Sequence, residues 1–234
     1  MKNTLRQYLL DFTHLFFPHH CTGCGTDDLA DGQWLCAACL CSLPETGFLA
    51  IPGNPVEQVF YGRLPLQEAG SAFYFTKDSV LQRLLFHIKY HAGQQAGVYL
   101  GKLLGKQLAC SGRFTGIDLL LPLPLNSRKQ RQRGYNQAAL LAEGVASVCS
   151  WPLVTQAVER RMFTATQTQQ DRISRWQNME GAFAVTDAGL LKNKHVLLID
   201  DVLTTGATLE ACGRCLLEVP GLRLSIVTAA YTIK

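Results

Sequence analysis

Two adjacent acids, Asp200 and Asp201, are followed by Val202, Leu203 and the small polar run Thr204-Thr205-Gly206-Ala207-Thr208. Small residues let successive backbone N–H groups turn toward one point and make a nest for an anion, and the threonine hydroxyls add donors. Neighbouring carboxylates accept hydrogen bonds from sugar hydroxyls and help hold a hydrated divalent cation. For these groups to meet one ligand, the acids must stand at the carboxyl end of a strand and the loop must open a helix. The apolar run Val196, Leu197, Leu198 and Ile199 predicts that strand over His195–Ile199, and the pattern over Leu209–Glu218 predicts the helix. Acids that merely capped a helix would need neither the apolar run nor the small-residue loop. No Lys follows the glycine as a Walker loop requires.

A basic segment lies upstream. Leu121-Pro122-Leu123-Pro124-Leu125 leads into Arg128, Lys129, Arg131 and Arg133, then Gly134-Tyr135-Asn136-Gln137. The predicted strand Ile117–Leu123 ends just before these cations, which places them on a turn at another carboxyl end. Three readings fit. Lys129, Arg131 and Arg133 grip a pyrophosphate or substrate phosphate, they form a nucleic-acid patch, or they make a solvated face. Thr164 to Asn178 is polar and rich in Gln, and carries Gln167, Arg175 and Asn178. It suits either a lid over a charged substrate or an inert surface loop.

Nine cysteines are many for this length, and five of them fall between Cys21 and Cys41. Cys21-x-x-Cys24 and Cys36-x-x-Cys39 are separated by eleven residues, a spacing that can close one tetrahedral Zn²⁺ site with four thiolates. Such a closed site is structural, because it leaves no open position for chemistry. Cys41, His19 and His20 are spare ligands, and merely buried or reactive cysteines are the alternative. The scattered cysteines read as small hydrophobes.

The elements that must position these groups follow from the pattern along the chain. Hydrophobic content of 47% over 234 residues supports one substantial core and argues against disorder. A net charge of +4 is too small to imply nucleic acid by itself. No run of eighteen apolar residues occurs, so no stable membrane insertion is predicted. Leu5, Leu9, Phe12, Leu15 and Phe16 recur at helical spacing, predicting an amphipathic helix that packs on the protein or lies at a membrane surface. No small-residue cleavage site follows it, so a reducing cytoplasm is expected. Composition shifts near residue 45, and Pro44, Pro52, Gly53, Pro55, Gly62 and Pro65 punctuate a connecting stretch. The predicted division is 1–50 for the helix and cysteine segment, and 51–234 for the larger unit. Within the latter, strands are predicted at Ala69–Phe75, Leu153–Val158, Phe183–Thr186 and Leu222–Ala229. Helices are predicted at Ser79–Cys110, broken near Ala92-Gly93, and at Asn136–Cys149. Buried strands alternating with helices indicate an α/β class with a mainly parallel sheet flanked by helices.

Val196 to Thr208 resembles the phosphoribosyl-pyrophosphate signature of the type I phosphoribosyltransferases. That resemblance implies a 5-phosphate in Thr204–Thr208, with the catalytic-site acids Asp200 and Asp201 facing the ribose 2- and 3-hydroxyls. In nearly its full length the chain resembles the ComF family of phosphoribosyltransferase-like proteins, which join an N-terminal zinc ribbon-like segment to such a domain. The matching features are Lys89-Tyr90, Pro122 to Leu125, and Arg133 to Gln137. Gln167, Arg175, Asn178 and Phe183 follow, and then Asp200 to Thr208. Asn126 stands where relatives often carry His, and Lys129 where they often carry Arg. The resemblance implies phosphoribosyl pyrophosphate with Mg²⁺ as ligand, and transfer of phosphoribose to an acceptor. It equally implies an accessory role in DNA uptake during natural competence, with single-stranded DNA and the competence machinery as partners. A sensor that binds phosphoribosyl pyrophosphate without turnover uses the same loop.

Overall fold

The computed structural model describes residues 20–30, 32–90, 93–161 and 181–233, with residues 127–129 described by their backbone. The amphipathic pattern at residues 5–16, His19, and the segment with Gln167, Arg175 and Asn178 lie outside these residues. The cysteine segment contains α1 (Ala37–Cys41) and leads to α2 (Pro55–Phe60), β1 (Ala69–Phe75), α3 (Val80–Tyr90) and α4 (Gln94–Ser111). Next come β2 (Leu119–Pro122), α5 (Ser127–Arg133), α6 (Gln137–Cys149) and the antiparallel pair β3 (Val158–Arg160) and β4 (Phe183–Val185). The chain closes with α7 (Ala188–Leu191), β5 (His195–Leu203), α8 (Ala207–Leu217) and β6 (Arg223–Thr232).

Strands β1, β6, β5 and β2 form, in that order, a parallel sheet. One face is covered by α3, α4, α6 and the cysteine segment, and the other by α2, α7, α8 and the β3–β4 pair. The two central strands are buried on both faces, which is why β5 begins as an unbroken apolar run. Helices α4 and α6 approach so closely that a Cβ on Gly101 would lie 2.2 Å from the Leu141 carbonyl oxygen. Glycine there is a packing requirement.

Several expectations need correction. β5 does not stop at Ile199 but runs through both acids to Leu203, because β6 continues to pair with it at Asp200–Thr228 and Val202–Ala230. β6 likewise extends to Thr232, where β1 pairs with it. The Leu153–Val158 strand is absent. Pro152 has no N–H to give a ladder, and only the Leu120 N–H to the Pro152 carbonyl (2.8 Å) and the Val154 N–H to the Leu120 carbonyl (2.9 Å) join that segment to β2. β3 begins at Val158 instead. The basic segment is a seven-residue helix, α5, rather than a turn.

The Pro- and Gly-punctuated stretch also holds a helix. Asn54 caps α2, its Oδ1 accepting from the Val56 N–H (2.9 Å) and Glu57 N–H (3.3 Å), while Pro55 occupies the first helical position, where no N–H is needed. The buried Asn54 amide also donates to the carbonyls of Phe48, Ile51 and Ala69. Arg113 holds Glu57 and Glu68 together. These contacts fasten α2 beside β1, where it forms part of the wall behind the acids and their loop.

Candidate functional site

Successive residues of a strand face opposite sides of its sheet. Asp200 pairs in register with Thr228, and Thr228 with Ser71, whose hydroxyls bond to each other. Asp201 meets the other side, where Lys89 Nζ from the last turn of α3 lies 3.4 Å from its Oδ2. Asp200 Oδ1 accepts the Asp201 N–H (2.8 Å), and Asp201 Oδ1 accepts the Val202 N–H (2.8 Å). Burial, and then the adjacent Asp201 charge, push the Asp200 carboxyl well above the usual carboxylate range, against the pull of the Asp201 N–H and Lys89. A carboxyl held this way is short of positive charge. A bound cation or hydroxyl donors would relieve it.

The loop after the acids turns at Gly206, which has φ +76° and serves as the N-cap of α8. Thr204 and Thr205 are exposed, and Thr205 Oγ1 accepts from the Ala207 N–H at 3.4 Å. The loop rests against α2, since a Cβ on Gly206 would meet Val59 Cγ1 at 2.8 Å and the Phe60 ring at 3.0 Å. The eleven-residue α8 therefore presents its N-terminal amides behind two exposed hydroxyls, the arrangement that favours an anion.

β2 pairs with β5 through Pro122 and Ile199, so α5 leaves the same sheet edge as the acids and their loop. Arg131 is exposed and Arg133 half-buried, and the backbone of Lys129 lies one turn earlier. The residues after α5 have local work. The Tyr135 hydroxyl donates to the Ile88 carbonyl, directly before Lys89. Asn136 caps α6 by accepting the Ala138 N–H (3.1 Å) and donates from Nδ2 to the Leu123 carbonyl (2.9 Å). Tyr135 and Asn136 thus tie α3, β2 and α6 around the same edge.

Two features of this edge were not singled out as site residues from the sequence. Lys89, read there only as part of a family pair, is the cation facing Asp201. Phe86 and Tyr90 stack with ring centroids 4.6 Å apart and 41° between planes, at 55% and 63% exposure. Their i,i+4 spacing on a predicted helix was the available signal.

At the cysteine segment, Cys21, Cys24, Cys36 and Cys39 bring their sulfurs within 4.8 Å of one another, whereas Cys41 is not in the group. The Cys24 and Cys36 sulfurs are 3.7 Å apart. A tetrahedron with metal–sulfur bonds of about 2.3 Å has edges of about 3.8 Å, so the group fits Zn²⁺. Burial alone would raise the Cys21 thiol, but backbone N–H groups of Cys36, Cys24 and Gly23 bring it down to about 6. Burial and the neighbouring thiols push Cys39 up to about 12. A dication among them would favour the thiolate at every position.

Residues 136–233 match the family described as phosphoribosyl transferase domain. The chain is 29% identical over 204 residues to competence protein F of Haemophilus influenzae, covering 86% of this chain and 79% of that relative. It is 29% identical over 206 residues to DNA utilization protein YhgH of Salmonella typhimurium, covering 81% and 87%. Against competence protein ComFC of Bacillus subtilis it is 34% identical over 100 residues, covering 43% and 38%.

Proposed function

The chain belongs to the ComF family and carries a phosphoribosyltransferase-type fold, and from that premise we propose that it binds phosphoribosyl pyrophosphate, or a related 5-phosphoribosyl ligand, with Mg²⁺. The observation that carries this reading is the delivery of Asp200 and Asp201 by one strand to a loop whose Gly206 turns it into the N-terminus of α8. The nest Thr204–Thr208 takes the 5-phosphate, and the two carboxylates take ribose hydroxyls. Arg131 and Arg133 of α5, with Lys129 on the same helix, supply the positive charge for the pyrophosphate at the neighbouring strand end. When bound, Mg²⁺ neutralises charge on the pyrophosphate. For transfer, the bond from C1 to the pyrophosphate oxygen breaks as the acceptor's lone pair bonds C1, and pyrophosphate leaves with the bonding electrons. The carboxylates steady the positive charge that develops on the ribose.

Asp200→Asn tests the acids. It keeps the shape but removes the charge, so affinity for the Mg²⁺–phosphoribosyl pyrophosphate complex should fall by about 1.5–3 kcal/mol, the range for hydrogen bonds to charged groups. Stability should move the other way. The native Asp200 carboxyl titrates above its unfolded value of about 3.9. Its stabilising contribution is therefore complete below that value and is lost as pH rises through the native value. At neutral pH the ligand-free variant should melt a few degrees higher than wild type, and the gap should close on acidification. Unchanged affinity, with no pH-dependent difference in melting, would remove Asp200 from the site.

A second reading has its own support. We infer that the same edge binds single-stranded DNA, a reading in keeping with a relative named as a DNA utilization protein. The exposed Phe86–Tyr90 pair beside Lys89 offers ring faces and a cation together. Replacing both aromatics with Ala should weaken binding of a short single-stranded oligonucleotide at fixed salt by about 1–3 kcal/mol per stacked base. Equal affinity for the doubly substituted protein would leave this reading without its surface. A reducing cytoplasm suits both readings, because the four cysteines must stay available to metal.

A further inference from the structure

We propose that Arg63 is a positioning residue for the anion nest, aiming the Gly206 N–H and neutralising the carboxylate that stands behind it. This rests on the reading of Thr204–Thr208 as the phosphate site. Arg63 lies in the turn after α2, its own N–H bonded to the Phe60 carbonyl at 2.9 Å. Its guanidinium reaches the nest from behind. Nη1 donates to the Val59 carbonyl (3.0 Å) and, at longer reach, to the Thr205 carbonyl (3.4 Å), while Nη2 pairs with Glu210 Oε2. One planar fork thus joins α2, the loop and the first turn of α8.

The direction of these bonds gives Arg63 its role. The Thr205–Gly206 peptide is trans, so the Thr205 carbonyl and the Gly206 N–H point to opposite sides. Holding the carbonyl toward Arg63 turns the Gly206 N–H away from it, toward the open side of the loop. Without that tether a peptide beside a glycine is free to rotate, and the nest loses a donor.

Charge gives a second reason. The Glu210 side chain is 8% exposed in the first turn of α8, close to where a phosphate would sit. An uncompensated carboxylate there repels an anion. Burial alone would raise its carboxyl, but bonds from Arg214 and Arg63 hold it below the usual carboxylate range, so it stays ionised and paired. Arg214 supplies two bonds, from Nε (3.1 Å) and Nη2 (2.8 Å), but its side chain is 52% exposed. Arg63 is the partner that also touches the loop.

The test is calorimetric titration with ribose 5-phosphate of wild type, Arg63→Ala, Arg63→Lys, Glu210→Gln and the double variant Arg63→Ala/Glu210→Gln, each corrected for its folded fraction. Arg63→Ala should bind at least 10-fold more weakly. Arg63→Lys, which keeps the charge but lacks the fork, should recover only part of the loss. Glu210→Gln alone should bind close to wild type, and in the double variant it should restore part of the lost affinity by removing the repelling charge. A purely structural Arg63–Glu210 pair would show its loss, and any relief in the double variant, in the melting temperature and not in the affinity of the folded fraction. Folded Arg63→Ala with wild-type affinity, or a double variant no better than Arg63→Ala, overturns the proposal while leaving the phosphate site standing. If wild type itself does not bind ribose 5-phosphate, the site reading fails and this inference with it.

Discussion

Gly206→Val is expected to abolish the proposed binding of a phosphorylated ribose, with a loss of at least about 100-fold. Two independent causes act at that position. The native φ of +76° lies in the left-handed region, which costs an L-residue roughly 1–2 kcal/mol, and β-branching restricts it further. The new Cβ would also stand 2.8 Å from Val59 Cγ1 and 3.0 Å from the Phe60 ring, so either α2 or the loop must move. Because α2 is held by Asn54 and the Arg113 ion pairs, the loop is the part that gives way. Its N–H groups then no longer converge. Gly206→Ala should show a smaller loss of the same sign, since it meets the same contacts without the branch. Titration with ribose 5-phosphate, alongside circular dichroism to establish a native fold, checks both substitutions. Native Gly206→Val with wild-type affinity would move the phosphate site elsewhere.

If Cys21, Cys24, Cys36 and Cys39 hold zinc as proposed, removing it should unfold the cysteine segment and loosen the helices beneath it. Structural zinc makes on the order of 10 kcal/mol available to a segment that has little core of its own. Buried Cys21, Leu35, Cys39 and Leu43 share one apolar cluster with Leu81, Leu84 and Leu100 of α3 and α4, so the loss does not stop at residue 50. Hydrogen exchange after chelation should show residues 21–43 losing protection, α3 and α4 partly, and β5 around Asp200 little. Freshly isolated, reduced protein should hold about one zinc per chain, and Cys36→Ser should reproduce the exchange pattern. Zinc-free protein with an unchanged pattern would contradict the metal assignment. Collapse of the whole chain would contradict the proposed division into 1–50 and 51–234.

The parts of the fold written in short-range patterns were legible in the sequence. β1 falls at Ala69–Phe75 as predicted, Gly93 is the N-cap of the helix that begins at Gln94, and Asn136 caps the helix that was expected to start there. The far ends of β5 and β6 were not legible, because pairing partners set them. β5 continues through two acids only because β6 lies beside it, and the Leu153 segment fails as a strand for want of a ladder. The connecting stretch read as punctuation because Pro and Gly dominate it, although Asn54-Pro55 is itself a helix-start signal. For the candidate site, the acids and the loop occupy one contiguous motif and the four cysteines two Cys-x-x-Cys pairs, so spacing alone brought them forward. Lys89 and Arg63 act across 112 and 142 residues of chain respectively. No local pattern announces a contact of that kind, which arises only when α2 and α3 pack at the sheet edge.

The most direct measurement is a calorimetric titration of the folded protein with phosphoribosyl pyrophosphate, with and without Mg²⁺. Saturable binding at one site per chain is predicted, tighter with Mg²⁺, lost in Gly206→Val and weakened in Asp200→Asn. Native wild-type protein that takes up no phosphoribosyl pyrophosphate under either condition, or a Gly206→Val variant that binds it equally well, would contradict the account.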